Sequence, residues 1–260
     1  MELPPILNSM YVWAIALLLF SAGLAAKTLG IIPTNLIIAI AICAVLDISL
    51  KKFYLKREEI RFPYSAVISG IIIGSIAPFV APPVVIVVAS IIAICSKIFI
   101  RHKGNHIFNP AVIGLLVALG IFSLQDEWWG AIGYKAFGVV LPVTLLLILA
   151  NYKAAKLKIA IPYLAAIALL FYFSGLVKIV PFSAVGLLAF ANVLPFYFAF
   201  IMLSEPKTSP YDANQQVVFG IGAAILVFAM NFAHVKYAFL IALLISNLIY
   251  FGYRNRSYLS

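Results

Sequence analysis

The chain has 260 residues, of which 65% are hydrophobic and only 10% charged, and its net charge is +10. Soluble domains run at about 45–50% apolar and about 25% charged, so this chain carries more apolar surface than one water-facing core can bury. Its two cysteines, Cys43 and Cys95, both lie in apolar runs. They exclude a disulfide framework and any four-thiolate cluster except one shared with a partner subunit.

Lipid is the natural solvent for such a chain. A bilayer admits only helices or a closed barrel, because unpaired backbone N–H and C=O groups are costly in hydrocarbon. The apolar runs are continuous, whereas barrel strands alternate over about ten residues. The expected fold class is an all-α integral membrane protein, a single polytopic domain over 1–260. Ten spans are expected: 10–26, 31–50, 63–79, 83–100, 110–124, 136–150, 159–174, 184–203, 217–232 and 237–252. No basic residue precedes Met10, so 10–26 reads as a retained helix rather than a secretory signal.

The basic residues fit this count. With alternating spans, fourteen of them fall on the face that holds both termini, among them Lys51, Lys52, Lys56, Arg57, Arg61, Lys97, Arg101 and Lys103. Only Lys27, Lys135, Lys178 and Lys236 fall on the other. Cytoplasmic loops carry such an excess, so both termini are expected in the cytoplasm, with the chain in the plasma membrane. The charge is then explained by topology and by anionic lipid heads, and nucleic acid is not expected as a partner. Trp128 and Trp129, beside Asp126 and Glu127, read as an interfacial anchor on the outer side. Asp47 and Lys51, four residues apart, read as a local ion pair. Asn192 and Asn247, inside spans, read as interhelical hydrogen bonds or ion-path ligands.

Three segments stand out. Ser65–Pro78 carries small residues at 66, 70 and 74, one per helical turn. That spacing permits close helix approach, and the same bare face leaves room for a flat ring. Lys97–Gly114 is polar, contains His102 and His106, and ends in Asn109-Pro110-Ala111. It reads as a capped helix start with proline in the first turn, or as a ligand site at a helix N-terminus. Leu203–Gln215 is the third, with Glu205 at the edge of a long apolar run. A carboxylate there needs a partner. Two polar re-entries on one face form one site if they meet.

Together the three segments resemble one family of membrane proteins, the D-type membrane component of Rnf electron-transport complexes and the B-type component of the sodium-translocating NADH:quinone reductase. Ser69-Gly70 with Pro78 is similar to the family's early-helix motif. Lys97, Gly104 and Asn109-Pro110-Ala111 follow its Gly-Lys, glycine-rich loop and Asn-x-x-Asn-Pro-Ala element. Glu205-Pro206 with Ser209-Pro210 is similar to its Asp-Pro-x-Ser-Ala-Pro segment, with Glu in place of Asp. The resemblance covers about 63–225. It implies a membrane protein that holds flavin and passes electrons, coupled to transmembrane ion transport. The partners it implies are other membrane and redox subunits, with quinone as a further candidate.

On that resemblance, a non-covalent flavin (FMN or riboflavin) or a quinone sits near the cytoplasmic face. Its expected contacts are Ser69, Gly70, Gly74, Lys97, Gly104, His106, Asn109, Glu205 and Ser209. Lys97 would balance a reduced anionic ring, although a lysine at a helix end also reads as snorkelling. His106 stands where the family has the first asparagine. The four threonines, Thr28, Thr34, Thr144 and Thr208, lie in no Ser-Gly-Ala-Thr-like motif, so covalent FMN is not expected. No haem is expected, because His102 and His106 share one segment and His234 lies at the opposite face. A water channel would carry Asn-Pro-Ala twice, and Asn-Pro occurs once. The chain alone has no complete catalytic or metal site. The competing reading is a secondary transporter or permease without redox chemistry.

Overall fold

The computed structural model describes residues 10–59, 61–102, 104–132, 145, 147–176 and 194–256. The first parts of the spans expected at 136–150 and 184–203 lie outside the described residues. The fold is mostly helical, and its contacts fall into two compact units. One is drawn from Met1–His106 with Pro110–Gly133, the other from Ile107–Asn109 with Tyr134–Ser260.

The first unit holds α1 (Met10–Leu29), α2 (Thr34–Ser49, continued by a wide π turn over Leu50–Tyr54), α3 (Tyr64–Ile76) and α4 (Pro83–Phe99). A two-residue hairpin of β1 (Arg101–His102) and β2 (Asn105–His106) follows, then α5 (Pro110–Ile121) and a short α6 (Trp129–Ile132). Prolines punctuate these elements. Pro33 and Pro63 precede α2 and α3, and Pro83 and Pro110 open α4 and α5. Proline suits a first turn, where its missing N–H has no partner to lose.

α3 is the hub of this unit. Almost every residue from Ala66 to Ile76 is buried, as expected of a helix that is apolar all round. It packs chiefly on α2, and also on α1, α4 and α5. It is shorter than the 63–79 expected, because Ala77 before Pro78 turns extended, with ψ 150°. A residue before proline is pushed out of the helical region.

That early stop leaves carbonyls without helical donors. Trp129 Nε1 donates to Gly74 O at 2.8 Å, and the N–H groups of Glu127 and Trp128 donate to Ile76 O. Here the structure corrects the expected outer anchor. Trp129 is 1% exposed and Trp128 7%, so the pair is packed inside the unit, where an indole N–H caps α3. The non-helical link after α3 is satisfied in the same way. Asn35 Nδ2 lies within hydrogen-bond distance of the carbonyls of Pro78, Phe79 and Ala81, and Glu127 Oε2 accepts from Phe79 N–H.

The second unit holds helical residues 147–153, α7 (Leu157–Leu176), α8 (Leu194–Tyr197, running into a π segment over Phe198–Leu203), α9 (Ala213–Phe232) and α10 (Ala238–Arg256). α7 and α9 form its most extensive contact. They approach closely because Gly220 has no side chain: a Cβ there would meet Ile159 O at 2.4 Å. Asp212 caps α9, its Oδ1 accepting from the N–H groups of Asn214 and Gln215 at 3.0 Å.

Among the described residues four helices are long and apolar enough to cross a bilayer: Tyr11–Leu29, Leu157–Ser174, Ala213–Phe232 and Ala238–Asn255. Tyr64–Ile76, Pro83–Phe99 and Pro110–Ile121 are apolar but shorter. Twelve residues of helix reach only about 18 Å, well under a hydrocarbon core of about 30 Å.

Candidate functional site

In the second unit the two polar re-entries meet through one side chain. Asn247, in the middle of α10, is 1% exposed. Its Oδ1 accepts the backbone N–H of Asn109 at 3.2 Å, and its Nδ2 donates to the carbonyl of Thr208 at 3.2 Å. A primary amide offers both a donor and an acceptor, so a single asparagine ties the segment before Pro110 to the turn before α9. The sequence reading of Asn247 is an interhelical hydrogen bond or an ion-path ligand; its partners here are backbone groups 138 and 39 residues away.

The turn itself is locally closed. Glu205 O accepts from the N–H groups of Thr208 and Ser209, and from Ser209 Oγ at 2.6 Å. Thr208 Oγ1 donates to Glu205 Oε2 at 3.2 Å, so the carboxylate has a partner within its own turn. Ser209 is buried, and its hydroxyl is spent on this turn. Just before the turn, the π segment leaves Phe200 O open to two donors, Asn151 Nδ2 at 2.9 Å and Ser204 Oγ at 2.6 Å. Wide turns of this kind occur often at functional sites.

Lys156 is the residue that sequence reasoning missed. It counted only as one cytoplasmic cation among many, yet its exposure is 0%. Its Nζ donates to Pro210 O at 2.6 Å and to Ser209 O at 3.3 Å, and lies 4.1 Å from the Tyr211 ring centroid. No carboxylate pairs with it among the described residues. Burial lowers its pKa from 10.5 to about 8, since a desolvated ammonium is disfavoured. Beside it, Gln216 Nε2 donates to Ala155 O at 2.9 Å and Tyr211 O at 3.2 Å. Gln216 Oε1 is buried and has no hydrogen-bond donor among the described residues. Such an acceptor is costly unless something donates to it.

The remaining expected contacts belong to the first unit. Lys97 Nζ donates to Asp47 Oδ1 at 2.9 Å, and Asp47 Oδ2 takes Lys51. The Asp47–Lys51 pair is as expected from i,i+4 spacing, and Lys97, fifty residues on, joins it. The Lys97 ammonium therefore has a fixed counter-charge within its own unit.

Gly70 and Gly74 do not line a slot for a ring, which corrects that expectation. A Cβ at Gly70 would lie 2.7 Å from Ile40 Cα, and one at Gly74 would lie 2.5 Å from Leu36 Cα. The backbone of α2 fills the space that the small residues leave. Ser69 Oγ is turned back onto Ser65 O, in its own helix. Gly104 sits at the hairpin turn with φ +83°, where an L side chain is strained, and its surroundings are open. His106, on β2, is buried.

The structure thus gathers Asn109, Glu205 and Ser209 in one unit, with Asn247, Lys156 and Gln216. It places Ser69, Gly70, Gly74, Lys97, Gly104 and His106 in the other. No protein-family model and no curated protein matches this sequence.

Proposed function

We propose that this chain is a ten-span subunit of the plasma membrane, with both termini cytoplasmic, in an Rnf/Nqr-like ion-translocating electron-transport complex. It holds a non-covalent flavin or a quinone near the cytoplasmic face and receives electrons from a partner redox subunit. One observation carries this reading: Asn247 joins the Asn109 backbone to the turn that contains Glu205 and Ser209. Those are two of the three segments on which the family resemblance rests.

The second unit offers polar groups of the kind the edge of such a ring needs. The pyrimidine edge of an isoalloxazine presents an N–H flanked by carbonyls. Gln216 Oε1 is a buried acceptor with no donor among the described residues, and Lys156 Nζ has a third N–H beyond its two carbonyl partners. When bound, the ring would supply the electron-carrying chemistry. Lys156 and Gln216 would hold its polar edge, and Asn247 would fix the backbone around it. Gly70 and Gly74 of α3 are not among these contacts, because α2 packs against them within the first unit.

Absorbance of the purified protein tests the reading. A yellow protein whose flavin is released by acid, and is lost in Asn247→Leu while the variant stays in the membrane, is the expected result. Folded, colourless protein that takes up neither flavin nor quinone refutes the redox reading. It would favour the permease reading, for which the short α3, α4 and α5 speak. Interrupted helices with side-chain-satisfied links are common in transporters.

A further inference from the structure

In the first unit the C-terminal ends of α2 and α4 are tied together twice. Asp47 is shared by Lys51 and Lys97, and the rings of Tyr54 and Phe99 meet edge to face at 5.3 Å. One carboxylate with two ammoniums leaves a surplus positive charge at this end. Lys51 is the outer of the two, with 27% of its side chain exposed against 9% for Lys97.

The surface around these ties is both basic and aromatic. Lys52, Lys56, Arg57 and Arg101 are exposed, and so are Phe53, Tyr54, Phe99 and Ile100. Lys52 Nζ lies 5.6 Å from the Phe53 ring centroid. The acidic residues of this stretch, Glu58 and Glu59, follow the basic run, and Glu59 takes Arg61 at 3.3 Å. Exposed rings beside exposed cations, at the end of two apolar helices, match a single depth. Rings and aliphatic stems favour the acyl boundary, and the cations favour the phosphate layer.

We propose that this end of the first unit is a binding site for an anionic phospholipid. The headgroup phosphate is held by Lys51, Lys52 and Arg101, and the acyl chains lie over Phe53, Phe99 and Ile100. Charge complementarity selects the occupant. A zwitterionic lipid brings no net charge to offset the surplus, and a free phosphate has nothing to cover the rings. The inference requires that the helices lie in a bilayer and is independent of the redox reading.

Native mass spectrometry of the full chain, exchanged into an equimolar mixture of phosphatidylglycerol and phosphatidylcholine, tests it. The wild type should retain phosphatidylglycerol in preference. Lys52→Gln with Arg101→Gln should retain it roughly thirtyfold less, as two surface cations near anionic lipid would predict. Both residues are exposed, and the Asp47 pairs remain in that variant, so its unfolding midpoint in lipid-free detergent serves as the folding control. Phe99→Ala should also weaken retention, which a site for a bare anion would not show. Equal retention of the two lipids by the wild type overturns the proposal. So does full displacement of phosphatidylglycerol by millimolar inorganic phosphate.

Discussion

Replacing Asp47 by Asn tests the charge arrangement of the first unit. The carboxylate is 0% exposed, and it is the one acidic group on which Lys51 and Lys97 converge. The amide keeps the shape but leaves two ammoniums around a neutral group. Breaking a buried pair by removing one partner costs about 3–5 kcal/mol. Removing Lys97 instead, as Lys97→Met, deletes one charge-assisted hydrogen bond and leaves Asp47 with Lys51, at about 1.5–3 kcal/mol. The two losses should not add. In the double variant only Lys51 remains charged, and its partly exposed side chain can turn toward the headgroups. The double variant should therefore be more stable than Asp47→Asn alone, which requires a coupling larger than the Lys97→Met loss itself, about 2–3 kcal/mol. Denaturant unfolding of the four proteins in detergent, followed by tryptophan fluorescence, measures this. Additivity to within about 0.5 kcal/mol would refute the sharing of one carboxylate by two lysines.

Burial lowers the Lys156 pKa to about 8, so the unfolded chain binds more protons than the folded one between about pH 8 and the usual lysine value. Stability of the wild type relative to Lys156→Met should then rise with pH above about 8, by at most about 1.4 kcal/mol per pH unit. A difference that falls over that range contradicts the desolvation argument. Gly114→Ala should strongly destabilise the first unit, because the new Cβ would lie 2.2 Å from Ala89 O, where α5 crosses α4. Overpacking of this kind costs about 1–3 kcal/mol or more, whereas Gly120→Ala, with nothing within 4 Å, should leave the melting temperature equal or higher. Asn35→Leu removes the donor to three carbonyls of the 78–81 link. Faster hydrogen exchange confined to that link and to α3 is the expected signature.

Local relationships were legible in the sequence, and distant ones were not. The Asp47–Lys51 pair follows from helical spacing, and the small residues at 66, 70 and 74 correctly announce close helix approach. Neither pattern names its third party. Lys97 is fifty residues from Asp47, and nothing in the Gly70 and Gly74 repeat says that α2, rather than a ligand, comes so near. The tryptophan pair misled because Trp beside acidic residues is the usual pattern of an interface. Here an indole N–H was needed to finish a helix that Pro78 stops early. Lys156 was invisible for a related reason. A lysine in a short basic loop looks like every other loop lysine until the fold shows carbonyls and a ring closed over it.

The polar groups of both units answer one constraint. Helices cut short by proline leave carbonyls that lipid cannot satisfy, so the chain must supply donors from within. In the first unit Asn35 and Trp129 do this with several bonds from two side chains. In the second unit Asn247, Asn151 and Lys156 do the same for the carbonyls of Thr208, Phe200, Ser209 and Pro210. The difference lies in what is left over. Asn35 uses its amide nitrogen on a link that closes on itself, which is a structural solution. Around Lys156 the pairing does not close: among the described residues the ammonium has no carboxylate, and Gln216 Oε1 has no donor. A buried charge and a buried acceptor left in this way lower stability without any return from packing. They are a reason to look for a ligand at the turn before α9, rather than on the face of α3.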